Sequence, residues 1–135
     1  MFKLKFNYHL ATLVALLNLG ILRKLRYTKI PHTHVNLRII KILYKMGILR
    51  TFIIKGDVLW VYFKYNKGQS IVRKFSLIST PGKRCYWSLR ELCLYTSKHN
   101  FAGFFILSTP KGLVTSNYAL LTGHTSGEVL MKIEL

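Results

Sequence analysis

The chain has almost no negative charge. Four Asp and Glu stand against 21 Lys and Arg, a formal net charge of +17 at neutral pH, and no acid precedes Asp57. Asp57, Glu91, Glu128 and Glu134 are scattered, so no close pair of carboxylates can divide the roles of general acid and general base. A domain this basic repels itself, and a surface whose lysines served only solubility would interleave Asp and Glu with them. The shortage of acids therefore implies a polyanionic partner, either nucleic acid or an anionic membrane.

Cysteine is equally scarce. Cys85 and Cys93 are too far apart for a C-x-x-C pair, and two cysteines make no disulfide framework, so free thiols in a reducing compartment are expected, with a bridge between them left open. His32 and His34 flank Thr33 beside Pro31 with no carboxylate or cysteine at metal-ligand spacing, so they are expected to be loop or surface histidines. No metal, cofactor or small-molecule substrate is expected. A hydrolase built on Ser108 and a histidine would need a nucleophile elbow and an acid partner, and the sequence has neither.

The apolar run at residues 10–22, "LATLVALLNLGIL", is too short to cross a bilayer, and "RKLRYTK" follows it where a small-residue cleavage site would stand. It reads as a helix apolar nearly all round, hence buried, with Arg23, Lys24 and Arg26 at its C-terminal end. Membrane insertion is not expected; a basic membrane-associated or secreted protein using this segment is the alternative reading.

Half of the residues are hydrophobic, enough for a sizeable core. "YTKIP" is extended, because the residue before proline avoids the helical region. From about Val35 to Met46, Ile39, Ile40 and Leu43 line one helical face and Arg38, Lys41 and Lys45 another, with Gly47 as the stop. "LRTFIIKG", "VLWVYFKY" and "SIVRKFSLIS" are rich in β-branched and aromatic residues, and with turns at Gly56-Asp57 and Asn66-Lys67-Gly68 they read as an antiparallel meander. After Pro81-Gly82, Ser88 and Glu91 form an S-x-x-E capping box that opens a helix with Leu89, Leu92 and Cys93 inward. A strand over 100–107, a short helix over 115–121 and a last strand over 127–135 complete the chain. The expected fold is α+β in two small lobes: an α-β-α-β-β lobe over residues 1–79, and a lobe over 80–135 of mixed β with one longer and one short helix.

One loop draws attention. In "FFILSTPKGLVTS" the buried run Phe104 to Leu107 opens into Ser108, Thr109, Pro110, Lys111 and Gly112. Two hydroxyls, a cation and a glycine that admits close backbone approach suit a sugar-phosphate surface, although an ordinary tight turn has the same composition.

The order of motifs around this loop is more specific. Upstream stand Pro81-Gly82 with Lys83, Arg84 and Tyr86, then a helix opened by "LREL"; downstream come the Thr115-led helix and "GEVLMKIEL". With "MGILRTFIIKGD" running from the second helix into a strand, the chain resembles the family of the eighth protein of the small ribosomal subunit over nearly its full length. Members carry Arg-Pro-Gly with a basic residue and Tyr, then Ser-Thr-Ser-x-Gly, then Gly-Gly-Glu. Here Thr80 replaces the arginine, Pro110 replaces the third serine, and the last motif is kept at Gly127 and Glu128.

The resemblance implies a non-enzymatic protein that binds the central domain of small-subunit ribosomal RNA, meets neighbouring small-subunit proteins, and supports assembly of the particle. The implied RNA contacts are Ser108, Thr109, Lys111 and Gly112, with Lys83, Arg84 and Tyr86 beside them and Thr115 following. Lysine outnumbers arginine two to one, alanine occurs four times, and Ile, Leu, Phe and Tyr abound, as an AT-rich coding sequence would give. "MFKLKFNYH" runs directly into the first helix with no evident transit peptide. A mitochondrial ribosome is therefore expected, with a plastid or an AT-rich bacterial cytoplasm as alternatives.

Overall fold

The computed structural model describes residues 2–80, 82–97, 102–123 and 127–135. Its helices and antiparallel strands form an α+β fold in two compact units, Met1–Lys74 and Phe75–Leu135.

The first unit contains α1 (Phe2–Leu22), β1 (Tyr27–Pro31), α2 (His34–Lys45), β2 (Leu49–Lys55), β3 (Val58–Phe63) and a small hairpin of β4 (Tyr65–Asn66) and β5 (Gln69–Ser70). β3 lies at the centre of a three-stranded antiparallel sheet with β1 on one edge and β2 on the other. Its residues alternate with the pleat: Leu59, Val61 and Phe63 are buried, while Val58, Trp60 and Tyr62 point the other way. The helices pack on each other and on β1 and β2. Leu10, Leu13, Val14 and Leu17 of α1 and Ile39, Ile40 and Leu43 of α2 are buried, each removing apolar surface worth about 1.5–3 kcal/mol from water. Thr33 caps α2 by accepting the Asn36 amide, and Arg38, Lys41 and Lys45 stand on its exposed side, as the spacing anticipates.

α1 departs from the expectation of all-round burial. Ala11, Ala15, Leu19 and Leu22 form an exposed stripe, because the helix packs on one side only. No helix among the described residues is long and apolar enough to cross a membrane.

The second unit begins with β6 (Lys74–Leu77) and continues through β7 (Tyr86–Trp87), α3 (Leu89–Ser97), β8 (Gly103–Thr109), β9 (Gly112–Thr115), α4 (Ser116–Thr122) and β10 (Gly127–Glu134). Its sheet runs β6-β10-β8-β9, with β7 also paired to β10. The third strand of the expected meander is therefore elsewhere. β1 and β2 fill both sides of β3, so the 70–79 segment cannot pair with β3 as the meander requires. The segment is split instead: Ser70 pairs with Tyr65 in the β4-β5 hairpin, a strand that starts at Lys74 pairs with β10, and the amides of Ile78 and Ser79 both donate to the carbonyl of Leu130, within the β-bulge between Val129 and Met131. The two compact units meet in sequence at Lys74/Phe75; Pro81 lies outside the described residues, as do Asn100 and Phe101 at the start of the expected 100–107 strand.

One face of this sheet holds a cluster of Leu92, Phe105, Leu107, Ala119 and Val129, extended by Trp87, Val114 and Leu120. Ser88 accepts the Glu91 amide at 3.3 Å and starts α3 as the capping signal indicates. Cys93, expected inward, is exposed, because α3 buries only Leu92 and turns its next residue out. Trp87 holds this helix from the sheet, stacked on Tyr95 at 4.3 Å between ring centroids. Both cysteines are free thiols.

Candidate nucleic-acid interface

The five-residue loop anticipated at Ser108 to Gly112 is a tight hairpin. β8 continues through Ser108 and Thr109, Pro110 and Lys111 form the turn, and β9 starts at Gly112, with Thr109 paired to Gly112 and Ser108 to Leu113. The Thr109 hydroxyl organises this turn. It donates to the Gly112 carbonyl at 2.9 Å and accepts the Lys111 amide at 3.3 Å. Gly112 has φ +112°, a backbone that side chains resist, so its glycine serves the hairpin itself. Lys111 stands exposed at the tip.

β10 joins this hairpin to the second group of candidate residues. Glu128 pairs with Ser108 on one side and with Tyr86 on the other. Directly opposed residues of antiparallel strands share a face, so Tyr86, Glu128, Ser108 and Leu113 form one transverse row. Tyr86 is 60% exposed and Ser108 half-buried, and the Ser108 hydroxyl has no partner among the described residues. A second turn lies beside the row. Thr80 and Lys83 exchange backbone hydrogen bonds of 2.9 and 3.1 Å, which leaves the Lys83 side chain exposed.

Three of the sequence-selected residues have internal partners. The Arg84 guanidinium donates to Glu128 at 3.1 Å in a partly buried ion pair, so Arg84 clamps the segment before β7 to β10. Thr109 is held in the turn. Thr115 is buried and caps α4, its hydroxyl accepting the Tyr118 amide at 3.2 Å. Lys83, Tyr86, Ser108 and Lys111 are left as the outward-facing set, and Gly112 as the turn's pivot.

Other residues that build the site carried weak signals in the sequence. Gly127 is one: a side chain there would overlap the carbonyl oxygen of Ser108 and come to 3.0 Å from the Thr109 methyl carbon, so only glycine lets β10 lie this close to β8. Ser79 and Ser116 are another pair. Ser79 is fully buried, donates to the Val129 carbonyl at 2.6 Å and accepts the Cys85 amide at 3.0 Å. Ser116, also fully buried, accepts the Phe105 amide at 3.0 Å. Nothing in a lone serine code distinguishes such a buried bridge from a surface hydroxyl.

The motif order that suggested a ribosomal family is matched by a family model, described as Ribosomal protein S8, over residues 9–133. The chain belongs to the ribosomal protein S8 family. It is 30% identical over 125 residues to Small ribosomal subunit protein uS8m of Acanthamoeba castellanii, across 92% of this chain and 97% of that one. Similar likeness extends to bacterial relatives named Small ribosomal subunit protein uS8: 32% identity over 116 residues in Orientia tsutsugamushi strain Boryong, and 34% over 115 residues in Mycoplasmopsis agalactiae. Within the family's frame, the Gly-Glu pair that opens the last strand has a physical role here: Gly127 permits the approach to Ser108, and Glu128 fixes Arg84.

Proposed function

We propose that this chain is a constituent of the small ribosomal subunit that binds the central domain of its ribosomal RNA through the second unit and supports the particle's assembly. The observation that carries the reading is the row across β7, β10 and β8, where Tyr86 and Ser108 flank Glu128 and two turns project Lys83 and Lys111. RNA that is read in sequence or shape offers unstacked bases for an aromatic ring, ribose hydroxyls for a serine, and phosphates for lysines. The net charge of +17 supports a polyanionic partner, and the work of the site is recognition, with no bond made or broken.

The ribosome in question is, in this reading, mitochondrial. The lysine-rich, alanine-poor composition and the uS8m relative support it, and the bacterial relatives make a bacterial or plastid ribosome the alternative. Fractionation decides between them: the protein is expected to co-sediment with small subunits from purified mitochondria. Its recovery only from cytoplasmic or plastid ribosomes would reject the placement. The RNA reading is tested by binding an internal-loop fragment of central-domain RNA against an unrelated duplex of equal length. Preference for the fragment is expected, and equal affinity would contradict the recognition role.

A further inference from the structure

β2 is an edge strand, paired on one side with β3 and, among the described residues, with no strand on the other. The two-residue turn at Gly56-Asp57 makes Lys55 and Val58 the closing pair, and hydrogen-bonded and non-bonded pairs then alternate along the antiparallel ladder. Ile53 and Lys55 therefore turn their amides and carbonyls to β3, while Phe52 and Ile54 turn theirs away from it. The other side of β3 agrees with this phase: Phe63, in step with Leu59 and Val61, donates its amide away from β2, to the Arg26 carbonyl at 3.0 Å.

This stretch is also apolar on both faces. Phe52 and Ile54 stand opposite Val61 and Leu59, on the face that the helices cover, but the cover stops short of them. Tyr44 of α2 meets the Phe52 ring edge-on at 5.6 Å between centroids, and Ile54 is 46% exposed. On the other face Ile53, 40% exposed, stands opposite Trp60. An open edge of this kind is a template for another strand, and proteins guard such edges with proline or charge. β1, the opposite edge, ends in Pro31, which has no amide to offer. β2 has charge at Arg50 and Lys55, which leaves Thr51 to Ile54 unguarded.

We propose that the β2 edge takes an extended segment of a neighbouring protein as a further strand, with apolar residues beside Phe52 and Ile54 and acidic residues near Arg50 and Lys55. The added strand bonds the outward amides and carbonyls, and its side chains complete the two half-covered faces. The other candidate occupants fit less well. RNA phosphates accept hydrogen bonds and donate none, so they leave the outward carbonyls unmet and the apolar side chains wet. A second copy sets cation against cation whichever way its β2 runs, in a chain of net charge +17.

The partner is sought in the small subunit, so the proposal rests on membership of that particle; it is independent of the Ser108 face. The probe is an eight-residue peptide of alternating valine and threonine with glutamate at both ends, added to the full chain and followed by residue-level hydrogen exchange. In the free protein the amides of Phe52 and Ile54 are expected to exchange rapidly and those of Ile53 and Lys55 slowly, and the peptide is expected to slow Phe52 and Ile54. Ile54→Pro removes one outward amide at a place where an edge strand tolerates proline. It is expected to weaken the peptide about 10-fold or more, the worth of about one hydrogen bond, and to leave RNA binding unchanged. Ile54→Lys keeps the backbone and charges the edge, and a similar loss is expected, so the test survives if the proline variant fails to fold. Phe52 and Ile54 amides that stay fast at the highest peptide concentration would overturn strand addition. Equal binding of the same peptide with lysine at both ends would overturn the acidic partner. In small subunits, a photo-crosslinker in place of Ile53 is expected to join the chain to another protein; a crosslink to RNA, to a second copy or to nothing would overturn the assignment, whatever the outcome for Ser108→Ala.

Discussion

Gly127 lies against the carbonyl oxygen of Ser108, with no room between them for even one methyl group. The nearest obstacle is the Ser108 backbone, which cannot yield as a flexible side chain would. Gly127→Ala is therefore expected to cost about 1–3 kcal/mol, the range for inserting a methyl into a packed site, and to displace Ser108. Thermal denaturation checks the first effect. An unchanged melting temperature would mean that β10 and β8 are farther apart than described.

The clamp between Arg84 and Glu128 is partly buried, so either partner alone is a liability. Arg84→Gln and Glu128→Gln are each expected to destabilise by about 1–3 kcal/mol, as for a hydrogen bond to a charged group. The double variant is expected to lose less than the sum of the two, and denaturant melts of all three measure the difference. Strict additivity would show that the pair does not interact.

Ser79 links three segments through one hydroxyl, reaching the Val129 carbonyl and the Cys85 amide. Ser79→Ala removes a donor and an acceptor at a fully buried position. The expected loss is about 1–3 kcal/mol. Hydrogen exchange is expected to show the Cys85 amide among the first to lose protection, and retained protection there would contradict the linkage.

Thr109 and Ser108 are adjacent in sequence and differ in task. The Thr109 hydroxyl is occupied by the turn, while that of Ser108 is free among the described residues. Thr109→Val is accordingly expected to lower stability by about 1 kcal/mol or more, whereas Ser108→Ala is expected to leave the unfolding free energy within about 0.5 kcal/mol of wild type. The reverse order of effects would show that the two roles have been exchanged.

These contrasts mark what a sequence displays and what it hides. Periodicity revealed α2 with its buried Ile39, Ile40 and Leu43, and β3 with its alternation, because each pattern is local and repeats. Thr115 and Ser88 were legible as helix openers because capping is also a local matter. The 70–79 segment was not: its apolar, β-branched residues suit a strand in any sheet, and β1, from far upstream, holds the side of β3 that a meander would have used. The partner of Arg84 is equally hidden in the sequence, since whether a guanidinium meets phosphate or carboxylate depends on what folding brings beside it. Glu128, distant in sequence, reached it first.

The most direct test of the central claim is the affinity of Ser108→Ala for the central-domain RNA fragment, read beside an unrelated duplex. Ser108 stands in the row with Tyr86 and Glu128, so loss of its hydroxyl is expected to weaken the cognate RNA by about 1 kcal/mol or more and to leave the unrelated duplex unaffected. A folded variant that binds both RNAs as the wild type does would contradict the claim that this end of the sheet reads RNA.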